Sequence, residues 1–195
     1  MYELIGTTKS RAFRALWLLE ELGLDYTHFP ANPRSDEVLA KAPSGKIPVL
    51  ISDGAAISDS VAIMTFLADH HGALTHPAGS LERARQDAMT NRLNDELDAV
   101  LWMAAKHSFA LPEAQRVPEV KPALRWEFAR NVANLEAEID EAPYLAGDTP
   151  TIPDFLLTHC LNWAVGAKFD YDAPKLDALA QRMRAREAYK RTRAL

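Results

Sequence analysis

Residues 44–60 read SGKIPVLISDGAAISDS, and the reading of this stretch decides the fold around it. Pro48 stands directly before an apolar run, Val49 to Ile51, that otherwise has the composition of a buried strand. Proline cannot donate to a sheet ladder, so it belongs at a strand's first residue, on an edge or at a bulge. Asp53-Gly54 is a two-residue turn of the kind hairpins prefer, and it returns Ala56 and Ile57 antiparallel to the first run. Asp59 and Ser60 then open a helical pattern that reaches His71, in the positions where caps are expected. A backbone that withholds a donor at Pro48 leaves neighbouring polar groups available to a ligand, so the flanks of the stretch carry the next step.

On the N-terminal side, Tyr2 to Ile5 is short, apolar-rich and strand-like. The polar turn after it gives way to a helical stripe of Ala12, Ala15, Leu16, Leu19 and Leu22, with Gly23 as the stop. Tyr26 to Phe29 alternates like a second strand, and a proline-rich turn leads to a short amphipathic segment around Val38 and Leu39. The order β-α-β-α-β-β-α over the first seventy residues predicts an α/β layer domain. On the C-terminal side, GALTHPAGS at 72–80 has the composition of a linker. Beyond it, helical patterns run over 81–109, 118–141 and 151–165, with shorter ones from Lys175, so this half is expected to be a helical bundle. Within DTPTIPDFLL, Thr151 can cap, Asp154 can reach back and Pro153 is tolerated in the first turn, which marks a capping box.

The chain has 195 residues, 48% of them apolar, enough to bury a real core in one large or two small domains. A net charge of −5 repels phosphate backbones and anionic lipid surfaces, which argues against a nucleic-acid or membrane partner. MYELIGTTKSR opens with no basic segment leading into a long apolar run, and no apolar window approaches the roughly 20 residues of a membrane span, so a cytoplasmic protein is expected. The single cysteine, Cys160, lies in a helical pattern and is expected to be buried packing. His70 and His71 lack further ligands at a metal-binding spacing, and no metal site is expected. The basic tail from Arg182 to Arg193 most simply solvates a final helix, and arginines on the first helix are by default surface residues.

A hydroxyl-rich turn before helix one, GKIPVL, a hairpin, ISDS and, past a linker, a TIPD capping box together resemble the cytosolic glutathione transferases, over essentially the whole chain. The LWLLEELGLDY continuation of helix one is similar to bacterial members. The resemblance implies a thioredoxin-like domain over 1–73 and an all-α helical bundle over 80–195. It also implies reduced glutathione as co-substrate, a small hydrophobic electrophile as acceptor and a homodimer. It makes Pro48 a cis proline, with the backbone of Ile47 pairing the cysteinyl part of glutathione as a short strand would. The residues alone leave open a trans proline that merely starts a strand. By the same resemblance the helix amides and Ser60 receive the γ-glutamyl carboxylate, Asp59 faces its ammonium, and Lys46 pairs a glutathione carboxylate. Read by themselves, Asp59 and Ser60 are an N-terminal cap and Lys46 a solvated surface charge.

The chemistry then belongs in GTTKSRAFR, between strand one and helix one. A thiol with a pKa near 8.5 is only about 3% thiolate at pH 7, and the thiolate is the nucleophile. Lowering that pKa by about two units requires about 2.7 kcal/mol, within reach of a charge-assisted hydroxyl hydrogen bond beside a helix N-terminus. Aligned on SRA, the resemblance to serine-type members places Thr7 at the catalytic serine's position, while Thr8 is adjacent and Ser10 is the better-placed helix cap. No cysteine stands in the turn, so thiol exchange is not expected. Trp102, Met103, His107 and Phe109 are candidates for the acceptor surface, although residues at helical spacing are more often core than pocket. Two rivals share the fold: a non-catalytic glutathione-binding protein, and a glutathione-dependent isomerase, dehalogenase or peroxidase.

Overall fold

In the computed structural model, which describes residues 1–140 and 142–195, the chain opens with β1 (Tyr2–Ile5), α1 (Ala12–Glu21), β2 (Tyr26–Phe29) and α2 (Asp36–Lys41). β3 (Val49–Ser52), β4 (Ala55–Ser58) and α3 (Ser60–His71) follow. The four strands form one mixed sheet in the order β2-β1-β3-β4. β1 and β2 run parallel from Tyr2↔Tyr26 to Ile5↔Phe29, β3 returns antiparallel with Ile5↔Val49, and β4 hairpins back with Val49↔Ser58. Asp53 and Gly54 both have positive φ, 49° and 80°, the combination a tight two-residue hairpin turn requires. The order of the elements is the α/β layer order expected from the sequence, and the arrangement is the thioredoxin-like one that the resemblance implies.

Burial in α1 exceeds the expected stripe: every residue from Ala12 to Leu19 is buried, Arg14 among them. The reason is that α1 packs on β1, α3 and the last helix of the chain at once, so no face is left to solvent over those two turns. Each large apolar side chain so buried contributes about 1.5–3 kcal/mol of transfer free energy.

Beyond the linker the described residues contain helices and no strand, only an isolated bridge, Tyr144↔Gly147. The first pattern, expected over 81–109, forms α4 (Leu81–Leu93) and α5 (Ala99–Ala105), joined and followed by single wide π-type turns at Asn94–Asp98 and Lys106–Ala110. Next come α6 (Lys121–Glu138), α7 (Ile152–Ala167), α8 (Pro174–Arg184) and α9 (Glu187–Arg193). The pattern expected over 118–141 begins with a 3₁₀ turn at Pro118–Val120, and its last residue, Glu141, lies outside the described residues. No described helix is long and apolar enough to cross a membrane.

By spatial proximity the chain divides into two units, Met1–Ala78 with Arg184–Leu195, and Gly79–Met183. The last twelve residues, assigned from sequence to the helical half, therefore cluster with the sheet. Tyr189 sets its ring edge-on against Trp17, 4.9 Å between centroids, and against Phe13 at 5.4 Å. Arg191 Nε donates to Glu20 Oε2 at 2.6 Å, and Arg186 pairs with Glu21. Two arginines of the basic tail, Arg186 and Arg191, thus meet the two acids that close α1, while Arg182, Lys190 and Arg193 are exposed as a solvated helix end would have them.

Candidate functional site

The strand register gathers the sequence candidates at one end of the sheet. Continuing Ile5↔Val49 and Val49↔Ser58 by one residue sets Gly6 beside Pro48 and Pro48 beside Asp59. The carboxyl ends of both parallel strands point to this same end, where open α/β sheets place their sites. Three stretches far apart in sequence, 6–10, 46–48 and 59–60, so become neighbours.

Gly6 sits at the tightest point of this end, and sequence reasoning passed over it. Its φ of +144° is open to glycine, and a Cβ there would stand 2.8 Å from the Ala12 Cβ and 3.2 Å from the Ile47 Cβ. Its amide donates to Phe29 O at 2.9 Å, and its carbonyl lies 2.8 Å from His28 Nε2. A glycine directly after a strand and before a hydroxyl-rich turn is the signal that could have found it.

In the turn that follows, Ser10 is consumed locally. Its hydroxyl donates to Thr7 O at 2.7 Å and accepts from the Ala12 amide at 3.1 Å, so it ties the turn to α1. Thr7 is half-buried, and among the described residues its Oγ1 accepts only a long 3.4 Å contact from the Lys9 amide. Thr8 makes no side-chain hydrogen bond among the described residues.

Ile47-Pro48 is a cis peptide bond. Pro48 is buried and Ile47 half-buried against the small core of Ile5, Val38, Ala42, Val49 and Ile51. The β1-β3 register stops at Val49, and among the described residues the loop hydrogen bonds include neither the amide nor the carbonyl of Ile47. Lys46 is exposed, with its ammonium outside any ion pair among the described residues.

Asp59 caps α3: one carboxylate oxygen, Oδ1, accepts from the Val61 amide at 2.9 Å and the Ala62 amide at 3.1 Å. It does so from φ 77° and ψ 126°, a conformation rare for a residue with a side chain and the kind of local strain that collects at ligand sites. Ser60 is only 3% exposed and accepts from Arg14 Nη1 at 3.3 Å. Arg14, expected at the surface, is 1% exposed and reaches from α1 to the start of α3. A guanidinium and the positive end of a helix thus converge on one hydroxyl, which makes this corner receptive to a carboxylate.

In the helical unit, His107 holds a turn, its Nδ1 accepting from the Val117 amide at 2.9 Å. Met103 and Phe109 are exposed and Trp102 half-buried. Cys160 is fully buried, its Sγ 4.0 Å from Asp98 Oδ2, as expected of a packing residue. His70 and His71 join an aromatic cluster instead, with Tyr2 Oη 2.9 Å from His71 Nε2.

The comparisons with known proteins agree with this geometry. Residues 10–70 match the family model "Glutathione S-transferase, N-terminal domain" and residues 99–187 match "Glutathione S-transferase, C-terminal domain". Glutathione S-transferase GST-4.5 of Xanthomonas campestris is 31% identical over 160 residues, 80% of this chain and 78% of that protein. The chain belongs to the glutathione S-transferase family. Glutathione S-transferase GstA of Escherichia coli O157:H7 is 26% identical over 178 residues, 86% of this chain and 85% of that one. Among solved structures, the theta class enzyme of Xanthomonas axonopodis pv. citri with glutathione bound superposes at a TM-score of 0.80, with 25% identity, over 98% of this chain and 96% of that one. Glutathione is the ligand of this family, and its structures have been solved with glutathione in place.

Proposed function

We propose that this glutathione S-transferase family member binds reduced glutathione at the sheet end formed by residues 6–10, 46–48 and 59–60 and adds its thiolate to a small hydrophobic electrophile. The observation that carries the reading is the strained aspartate cap next to the Arg14-held Ser60, one strand position from Pro48. That corner offers both charges a γ-glutamyl group needs: Asp59 for the ammonium, the α3 amides and Ser60 for the carboxylate. The backbone of Ile47, outside the ladder, receives the cysteinyl part in the manner of an added strand, with Pro48 holding it there. Lys46 meets a carboxylate of the tripeptide.

Thr7 is the thiolate's hydrogen-bond donor in this reading. Its hydroxyl is bound more loosely than that of Ser10, whose donor and acceptor capacities are both engaged. The acceptor lies on the side chains of Trp102, Met103, His107 and Phe109, and the protein works as a cytoplasmic homodimer in detoxification, in keeping with its family.

Conjugation of glutathione to an aryl halide tests the reading. Thr7→Ala is expected to lower kcat/KM about 30- to 100-fold, the value of a lost charge-assisted hydrogen bond, and to move the pH-rate profile to higher pH as the bound thiol becomes less acidic. Ser10→Ala leaves the profile unmoved. Equal, near-background rates in wild type and Thr7→Ala, with glutathione still bound in calorimetry, would assign the protein to the non-catalytic binding reading instead.

A further inference from the structure

The turn that carries Thr7 is held from β2, through a side chain. In a parallel ladder a residue donates to the carbonyl before its partner and accepts from the amide after it. Gly6 donates to Phe29 O at 2.9 Å, so the regular donor to its own carbonyl would be the Ala31 amide. Pro30 diverts that amide: Ala31 N–H turns back across the proline to Phe29 O at 2.8 Å, and the ladder ends. Gly6 is buried, and a buried carbonyl without a donor is costly. His28 supplies the missing bond, its Nε2 2.8 Å from Gly6 O, and it is the one donor to that oxygen among the described residues. A carbonyl only accepts, so Nε2 carries the proton, in the neutral ring as in the imidazolium.

The consequence falls on Thr7. Its backbone has two soft dihedrals, set between two planar peptides. The peptide before it is held at Gly6 O by His28, and the peptide after it at Thr7 O, which accepts from the Ser10 amide at 3.1 Å and the Ser10 hydroxyl at 2.7 Å. With both planes held, the direction of the Thr7 Cα–Cβ bond is set, while Oγ1 stays loosely engaged. The two anchors differ in redundancy. Thr7 O keeps the Ser10 amide when the Ser10 hydroxyl is removed, whereas Gly6 O has no second donor and belongs to a residue with no Cβ to restrict it.

We propose that His28 is a positioning residue for thiolate activation: through Gly6 O it fixes the peptide plane from which the Thr7 hydroxyl is aimed at the glutathione sulfur. The inference rests on the reading of Thr7 as the thiolate's donor. His28 itself touches neither sulfur nor acceptor and acts through Gly6 alone. A donor displaced by a fraction of an ångström stabilises the thiolate less, so the loss of His28 should be read in the acidity of the bound thiol and in turnover. Glutathione affinity should hold, because the groups at 46–48 and 59–60 are untouched.

Titration of the bound thiol by its ultraviolet thiolate absorbance, beside kcat for conjugation to an aryl halide, is the test. His28→Leu is expected to move the thiol titration to higher pH and to lower kcat at neutral pH about tenfold, with the glutathione Kd within about twofold of wild type. His28→Gln, whose amide nitrogen stands as many bonds from Cα as Nε2 does, should restore both. In a Thr7→Ala background His28→Leu should move the thiol no further. A folded His28→Leu variant with an unmoved thiol titration overturns the proposal, as does a shift that persists in full without the Thr7 hydroxyl. A wild-type protein whose bound thiol titrates like free glutathione overturns the transferase reading and this inference with it, whereas a depressed wild-type thiol left unmoved by His28→Leu overturns this inference alone. Should His28→Leu fail to fold, His28→Gln decides: a titration matching wild type supports the role, and one shifted as far as in Thr7→Ala removes it.

Discussion

Two helices of this molecule use an aspartate to satisfy amides at their start, Asp59 as the N-cap of α3 and Asp154 reaching back from the first turn of α7, under opposite conditions. Asp59, in the sheet unit, is exposed, sits at a strained positive φ, and spends one carboxylate oxygen on the first amides of α3. Asp154, in the helical unit, is fully buried, and both its oxygens are spent: Oδ2 accepts from the Thr151 amide at 2.7 Å and the Thr151 hydroxyl at 3.2 Å, Oδ1 from the Leu145 amide at 2.8 Å. A saturated, buried carboxylate has nothing left for a ligand. A half-used, exposed one held in a strained backbone has both an acceptor and a reason to be there. The pair teaches that a cap serves the fold or a ligand according to how much of it remains unspent.

The largest expected effect breaks the buried member. Asp154→Ala leaves the amides of Thr151 and Leu145 without their acceptor, one of them in a buried segment, and removes the reach-back half of the capping box. The expected loss is about 3–5 kcal/mol of unfolding free energy by urea titration, with the glutathione affinity of the folded protein unchanged. A loss below about 1 kcal/mol would show that the box contributes little. The comparable cap substitution at Asp59 should cost only about 1 kcal/mol.

The next effect is in pH. Burial pushes the Asp154 carboxyl up to about 6, against the opposing pull of its hydrogen bonds. With the folded value above that of an unfolded aspartate, near 4, the native state binds more protons than the unfolded chain through this window. The contribution of Asp154 is therefore greatest below about pH 4 and declines as pH rises to about 6, by an amount on the order of 3 kcal/mol. Glu20, which burial pushes up but which hydrogen bonds from Arg191 and Tyr26 and the Arg191 charge together hold below its usual range, works in the opposite sense. The difference between wild type and Asp154→Asn isolates the effect: their unfolding free energies should diverge between pH 4 and 6, the wild type losing ground. Parallel pH profiles would contradict the burial argument.

The same contrast explains how much of the molecule was legible from its residues. The hairpin was legible because Asp53-Gly54 is a pair that suits positive φ at two successive positions and a short apolar run leads into it. The box at Thr151 to Asp154 was legible because its two partners are three residues apart. Arg14 was not: its partner Ser60 lies 46 residues away, and nothing in the spacing of α1 says that α3 and the last helix will cover the sides that the sheet leaves open. The tail arginines failed for the same reason, since Glu20 and Glu21 lie at the other end of the chain. At the candidate site, residue types were readable, but the adjacency of Gly6, Pro48 and Asp59 depends on strand register, which only the folded sheet supplies. The resemblance to the family carried that step.

The smallest effect on stability is the sharpest test of the comparison. Asp59→Gly removes the cap but also the Cβ that makes φ 77° costly, and glycine is itself tolerated at a helix start. Stability should therefore move by less than about 1 kcal/mol. Glutathione affinity by calorimetry should fall about tenfold, because the charge facing the ligand's ammonium is gone. Asp59→Asn sharpens the point further: the amide oxygen still caps Val61 and Ala62, so only the charge is removed. If Asn matches Gly in weakening glutathione while matching wild type in stability, the ligand reads the carboxylate's charge. Unchanged affinity in both variants would leave Asp59 a helix cap like Asp154, and the distinction between the two would lie in burial alone.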